Sequence, residues 1–167
     1  MKIKKLVYMA LLTAAALIMF VIEAQIPNPV PIQGVKLGLA NIVTVYAMFA
    51  LGPGPTLMIL LCRVFLGSVF SGQMMTILYS MSGGILCYLS MLIMRKLVTI
   101  RQIWVCSAVG AVFHNIGQIA VAIFITRTPG LVAYLPVLLV SGIITGVFTG
   151  LCAQLVVRHL PARFLEK

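Results

Sequence analysis

Hydrophobic residues run along this chain in six long stretches instead of alternating with polar residues. The stretches cover residues 6–22, 35–51, 55–70, 74–94, 103–125 and 131–157. A helix that crosses the hydrocarbon core of a bilayer needs about 20 predominantly apolar residues, so runs of this kind predict membrane-spanning helices. Unpaired backbone groups are too costly in hydrocarbon for any structure except a helix or a closed barrel. Because the runs do not alternate, the pattern predicts an all-α integral membrane protein, a bundle of six transmembrane helices.

The segments between these stretches carry the residues that end helices. Pro27, Pro29 and Pro31 follow the first stretch, and Gly-Pro-Gly-Pro at 52–55 follows the second. Proline and glycine interrupt helices and favour turns. Since no connecting segment is long enough to hold a further domain, residues 1–167 are predicted to form a single membrane domain.

Composition agrees with this class of protein. Hydrophobic residues make up 62% of the chain and charged residues 8%, and the mean hydropathy is +1.18. These values lie far outside the averages of soluble globular proteins.

The basic N-terminus followed by an apolar run could be a secretory signal, but no small-x-small cleavage site follows it cleanly. We therefore expect a retained first helix.

The net charge of +10 comes from basic residues that gather at one end of the predicted bundle. Arg127 and Lys36 fall on the other side. The positive-inside rule places the basic end in the cytoplasm, which predicts a multi-pass protein of the cell membrane with both termini cytoplasmic. This asymmetry and attraction to anionic lipid account for the charge without nucleic acid as a partner. The residues of the basic end are Lys2, Lys4, Lys5, Arg95, Lys96, Arg101, Arg158, Arg163 and Lys167.

Arg63 is the most informative residue, because it lies in the middle of the apolar stretch 56–67. An arginine near the centre of a membrane helix costs about 2.5–3.5 kcal/mol on insertion scales, and such residues usually face a protein interior, a cavity or a ligand. The chain contains no aspartate, and its two carboxylate side chains are Glu23 and Glu166. The scarcity of acidic partners favours an anionic ligand for Arg63.

Other polar residues within the stretches are expected to gather around one cavity, open to the outside and closed toward the cytoplasm. The segment 27–34, with its prolines and Gly34, is expected to form an outer lid. His114 and Gln118 share one helix face because they are four residues apart. The alternative for each residue is a bond between helices, worth about 0.6 kcal/mol on average. The candidate substrate-binding residues are Arg63, His114, Asn115, Gln118, Asn41, Tyr79 and Ser80.

Small residues predict two surfaces of close approach. Gly142, Gly146 and Gly150 follow one another at spacing four, which permits close packing of the sixth helix against another helix. Ala10 and Ala14 have the same spacing on the first helix and form a smooth surface suited to docking against a second membrane protein. The first set is interpreted as structural and the second as a partner surface.

The cysteines show no spacing typical of a metal site or a redox motif. They are distributed one to a helix, at Cys62, Cys87, Cys106 and Cys152. Free cysteines in helices behave as small apolar residues. No metal site is predicted.

Four short runs together resemble a known family. They are Lys-Leu-Gly-Leu-Ala-Asn-Ile at 36–42, Arg-Val-Phe-Leu-Gly-Ser at 63–68, Tyr-Ser-Met-Ser-Gly-Gly at 79–84 and His-Asn-Ile-Gly-Gln at 114–118. Over essentially the whole chain the sequence resembles the Gx transporter family, also labelled heptaprenyl diphosphate synthase component I. That architecture is similar to the six-helix substrate-binding S components of energy-coupling factor (ECF) transporters. The resemblance implies capture of a small molecule in the membrane, with Ala10 and Ala14 matching the face by which S components meet the coupling subunit.

The synthase label can be tested against the composition. Prenyl transfer needs aspartate-rich motifs that hold magnesium against a diphosphate, and this chain has no aspartate. It also lacks a glycine-rich loop ending in lysine and a hydroxyl residue, so ATP dependence would come from other subunits. We therefore expect that the protein is not an enzyme and needs no cofactor.

Three hypotheses follow. The leading one is a substrate-binding subunit for uptake of a small anionic or amphipathic metabolite, such as a vitamin, flavin, isoprenoid or quinone precursor, working with an energy-coupling transmembrane subunit and ATPases. The alternative is a non-catalytic membrane accessory subunit of a heptaprenyl or polyprenyl diphosphate synthase, bound to a soluble prenyl synthase. The third, a self-contained secondary transporter, has only His114 and Glu23 as candidate proton carriers at depth.

Overall fold

The computed structural model describes residues 3–25, 38–72 and 75–159. In this part of the chain the backbone is helical and contains no strand, which confirms the predicted all-α class and its six helices. Two short 3-10 turns, Ile100–Gln102 and Pro129–Tyr134, precede the last two helices. The helices are α1 Ile3–Gln25, α2 Leu39–Ala50, α3 Pro53–Ser71, α4 Met75–Met94, α5 Ile103–Thr126 and α6 Leu135–His159.

Within the described ranges, five of the helices are long and apolar enough to cross a membrane, and α2 is the exception. It has 12 residues, a length of about 18 Å. The second predicted span began at residue 35, and residues 35–37 lie outside the described part, as does the predicted lid at 27–34. The helix follows Gly38, whose φ of 71° is in the left-handed region that glycine adopts without strain.

The five helices α2 to α6 form a closed ring, and α1 lies outside it. Around the ring, α3 packs against α2 and α4, α5 packs against α4 and α6, and α6 returns to α2. The first helix packs mainly against α2 and α3. The ring therefore encloses an interior, and α1 lies against only one side of the ring.

Successive helices run in opposite directions, which brings the basic residues to one end of the bundle. The hydroxyl of Tyr88, late in α4, donates a hydrogen bond of 3.2 Å to the carbonyl of Pro53 at the start of α3. Lys2, Arg163 and Lys167 lie outside the described residues. The end that carries Lys4, Lys5, Arg95, Lys96, Arg101 and Arg158 is called the basic end below.

An apolar core fills the ring in the half nearer the basic end. All five ring helices contribute to it, and Met48, Met91 and Ile103 are completely buried there. Cys87 and Cys106 belong to this core, so they pack as small apolar residues. The core closes the interior toward the basic end. Its members are Val45, Met48, Leu60, Val64, Cys87, Tyr88, Met91, Ile103, Cys106 and Ala153.

The outer surface of the helices is apolar, as contact with lipid requires. Large hydrophobic side chains stand exposed on several helices, among them Phe65 on α3, Ile93 on α4 and Phe148 on α6. In water such a surface would be a liability, whereas in hydrocarbon it is the solvated face. The protein is therefore a multi-pass membrane protein.

Glycine sets the distance between α5 and α6. A Cβ placed on Gly150 would lie 2.6 Å from the Cα of Trp104, and one on Gly146 would lie 2.7 Å from the Cα of Ala108. Gly142 lies against the side chain of Asn115. The hydroxyls of Ser107 and Thr149 form a hydrogen bond of 3.1 Å across the same interface. The three glycines thus stand where the two helix backbones approach most closely.

Gly150→Ala is expected to lower the stability of the protein by about 1–3 kcal/mol, because the added methyl group meets backbone atoms that cannot rotate away. The measurement is the fraction of folded protein that survives heating in detergent. Gly54→Ala in α3 is the matched control, since no atom lies within 4 Å of the Cβ that it adds. Equal stability of the two variants would contradict the packing role of Gly150.

Candidate functional site

Arg63 lies near the middle of α3, partly buried, and reaches toward α2. Its Nη1 donates a hydrogen bond of 3.2 Å to Oδ1 of Asn41. A guanidinium has several N–H donors in a planar fork. In the part of the chain that the structure describes, this bond to a neutral amide is the one that the guanidinium makes, so donors remain for another acceptor.

Glu23 is the acidic residue in the part of the chain that the structure describes, and it binds the start of α2. One carboxylate oxygen accepts a hydrogen bond of 2.6 Å from the backbone N–H of Gly38, and the other accepts one of 3.1 Å from Leu39. The side chain is only 8% exposed. The first N–H groups of a helix have no partner within the helix and carry a partial positive charge. The carboxylate accepts hydrogen bonds from these groups, and its negative charge also compensates their partial positive charge.

Hydrogen bonds and the backbone of α2 join these residues in a continuous network. The Glu23–Arg63 network, as it is called below, consists of Glu23, Gly38, Leu39, Asn41 and Arg63. The backbone N–H of Asn41 donates a hydrogen bond of 2.8 Å to the carbonyl of Gly38, which closes the first turn of α2. The network thus has a carboxylate at one end and a guanidinium at the other. The carboxylate is occupied by α2, so the charge of Arg63 is compensated only in part.

Sequence reasoning did not include Glu23 among the site residues. A signal was present, because Glu23 is one of two acidic residues in the chain and ends a long apolar helix. A carboxylate at that position requires compensating donors. The partners of Glu23 are the N–H groups of Gly38 and Leu39. They could not be predicted, because a hydropathy pattern does not determine the path of the segment that precedes them.

His114 and Gln118 lie together at the interface between α4 and α5, as their spacing predicted. Both pack over Gly83: a Cβ on that glycine would lie 2.9 Å from Cγ of Gln118 and 3.0 Å from Cε1 of His114. Directly before Gly83, the Ser82 hydroxyl donates a hydrogen bond of 3.1 Å to the carbonyl of Gly117. The absence of a side chain at Gly83 thus makes room for two polar side chains beside α4.

Asn115 faces a different helix from its neighbour His114. Its Nδ2 donates a hydrogen bond of 2.5 Å to the carbonyl of Leu138 in α6. This is the kind of contact that holds membrane helices together. Tyr79 and Ser80, the remaining candidates, are partly buried on α4. The structure therefore brings Arg63 to Asn41 and His114 to Gln118, and it places Asn115 at the α5–α6 interface.

Ala10 and Ala14 lie on the exposed face of α1. Leu11 and Ile18, on the same helix, are 62% and 60% exposed. The alanine surface is therefore accessible to lipid or to another membrane protein. Among the residues that the structure describes, no group of three or more His, Cys, Asp or Glu side chains is placed to hold a metal ion.

Residues 12–156 match the family model described as heptaprenyl diphosphate synthase component I. The match contains α2 to α5, all but the last three residues of α6, and the whole Glu23–Arg63 network. Neither a curated protein nor a solved structure matches the chain.

Asn115→Ala is expected to lower the stability of the folded protein by about 0.6 kcal/mol and at most about 1.7 kcal/mol, because α6 loses an interhelical hydrogen bond. Thermal unfolding in detergent measures the change. Thr126→Ala serves as the control, since among the described residues its hydroxyl bonds the carbonyl of Ala122 in its own helix and none in a neighbouring helix. If both variants unfold at the temperature of the unmodified protein, the hydrogen bond from Asn115 to α6 does not contribute to stability.

Proposed function

The chain belongs to the heptaprenyl diphosphate synthase component I family, and we propose that it is a substrate-binding membrane subunit for uptake of a small anionic or amphipathic metabolite. The ligand would be of the vitamin, flavin, isoprenoid or quinone-precursor type. The observation that carries the proposal is the state of Arg63, a partly buried cation whose described hydrogen bond goes to the neutral amide of Asn41.

The chemistry of Arg63 supports an anionic group on the ligand. A guanidinium binds carboxylate or phosphate through two parallel charge-assisted hydrogen bonds. Glu23 does not fill this role, since its oxygens accept hydrogen bonds from Gly38 and Leu39. A ligand anion would supply the missing acceptors, and the cost of placing arginine within a membrane helix would be offset when the ligand is bound.

The distribution of polarity supports entry from the end opposite the basic end. The apolar core closes the ring toward the basic end, whereas Glu23, Asn41, His114 and Gln118 lie in the other half or near mid-depth. By the positive-inside rule the basic end faces the cytoplasm. We therefore propose a cell-membrane protein with both termini cytoplasmic and a site that opens outward, lined by Arg63, Asn41, His114 and Gln118, with Asn115, Tyr79 and Ser80 close by.

Uptake would depend on partner subunits. The chain has no nucleotide-binding loop, so an energy-coupling transmembrane subunit with ATPases would supply the work. The exposed alanines of α1 offer a smooth surface for such a subunit, because small residues let helix backbones approach closely in lipid. The resemblance to ECF S components supports a docking face on this helix.

A second candidate function is a non-catalytic accessory subunit of a prenyl diphosphate synthase, which the description of the family favours. With no aspartate, the chain would leave catalysis to a soluble partner. That partner would meet the basic end, where Arg95, Lys96 and Arg101 are available for acidic groups.

Arg63→Ala is expected to abolish retention of the native ligand while folded protein remains abundant in the membrane, because the anion loses its charged partner. Native mass spectrometry of protein released gently from its own membrane records bound metabolites and accompanying subunits. Arg127→Ala, at an exposed turn, is the matched arginine control and should retain the ligand. A bare chain that copurifies with a soluble prenyl synthase, with or without Arg63, would favour the accessory function instead.

Ala14→Trp is expected to prevent copurification of a coupling subunit, because the large ring fills the surface that the partner needs. Affinity purification from native membranes measures the loss. Ile85→Trp on α4 controls for bulk on a lipid-facing surface, since Ile85 is 39% exposed. A coupling subunit that remains bound to the Ala14 variant would place the docking surface elsewhere.

A further inference from the structure

We infer that Glu23 is a positioning residue of the ligand site: by binding the start of α2 it holds Asn41 against Arg63. This inference rests on the proposed function, because it gives a role in that site to a residue of α1. The carboxylate of Glu23 acts through α2 and does not contact the ligand.

The first step is the attachment of α1 to α2. The two oxygens of Glu23 bind the N–H groups of consecutive residues, Gly38 and Leu39, at 2.6 and 3.1 Å. Two bonds to adjacent amides fix both the position and the direction of the helix start. Because Glu23 is only 8% exposed, water cannot easily replace its carboxylate.

The second step leads from the helix start to Asn41. Gly38 has a left-handed backbone and accepts a hydrogen bond of 2.8 Å from the N–H of Asn41. The Asn41 side chain lies over Gly38, since a Cβ there would be 3.2 Å from its Nδ2. The position of this first turn therefore determines where the amide oxygen points.

The third step joins Asn41 to Arg63. The amide oxygen accepts the hydrogen bond of 3.2 Å from Nη1 and so orients the guanidinium. Asn41 neutralises no charge, and Glu23 is directed to α2, which leaves the cation able to receive an anion. Loss of Glu23 would release the first turn, then the amide, and finally the guanidinium.

The test is a double-mutant cycle on the full chain in lipid nanodiscs, with phenylglyoxal as the probe of arginine. Peptide mass spectrometry resolves the labelling rate of Arg63 from those of the other arginines. E23Q and N41A are each expected to raise the rate at Arg63 several-fold, as loss of a helix cap or of a charged hydrogen bond implies. The double variant E23Q/N41A should be labelled no faster than the faster single variant, because both changes break one pathway.

Backbone hydrogen exchange separates the two steps. Exchange at Gly38 and Leu39 should become faster in E23Q and remain slow in N41A. Gln25→Ala, at the exposed end of the same helix, should change neither measurement. If E23Q does not accumulate in the membrane, E23D keeps the charge with a shorter reach, and its exchange and labelling should rise together.

Two results would overturn the inference. In the first, E23Q raises the labelling of Arg63 by the same factor with Asn41 present and with Asn41 removed, which would mean that Glu23 acts by charge alone. In the second, exchange at Gly38 and Leu39 rises while the labelling of Arg63 stays constant. Since no ligand takes part in the cycle, its outcome is independent of whether a metabolite is retained in the native membrane.

Discussion

Hydrocarbon offers no hydrogen bonds, and this constraint shapes how the polar groups of the protein find partners. The start of α2 shows its effect most clearly. The first N–H groups of α2 have no partner within the helix, and the carboxylate of Glu23 from α1 satisfies two of them. The same pressure pairs Asn115 with a carbonyl of α6 and Ser107 with Thr149. Polar residues in this chain are therefore few. The side chains of Glu23, Asn115 and Ser107 each form hydrogen bonds with a neighbouring helix.

The second determinant is the close approach of helix backbones. In lipid the packing of α4, α5 and α6 gains little from the hydrophobic effect, so van der Waals contact through glycine is the main source of attraction. Gly83 and Gly117 bring α4 to α5, and Gly146 and Gly150 bring α5 to α6. The first helix is held differently, by Glu23, by a hydrogen bond of 2.6 Å between the hydroxyls of Tyr8 and Tyr46, and by the apolar packing of Met9 against α2 and α3. Close backbone contacts at glycine thus hold α4, α5 and α6 together, whereas polar and apolar side chains hold α1 to α2 and α3.

Hydropathy was sufficient to predict the class of protein and its six helices, because the length of an apolar run is a direct consequence of bilayer thickness. Spacing also predicted that His114 and Gln118 share a face. It could not predict which neighbouring helix each polar residue meets. Adjacent positions on a helix point about 100° apart, so His114 contacts α4 while Asn115 contacts α6. The role of Glu23 escaped prediction for a related reason: its partners are backbone amides, and these carry no sequence signature.

The two functions proposed for this protein place different demands on Arg63. An accessory subunit needs a surface for its partner, and the basic end already offers one. It gains nothing from a cation within a membrane helix, whose insertion costs about 2.5–3.5 kcal/mol. A structural role would account for that cost if the cation bound its carboxylate directly, but Glu23 is bound to α2 instead. A neutral amide is a weak partner for such a charge, whereas an anionic ligand is a strong one. Ligand capture is therefore favoured by the position of the carboxylate as much as by the position of the arginine.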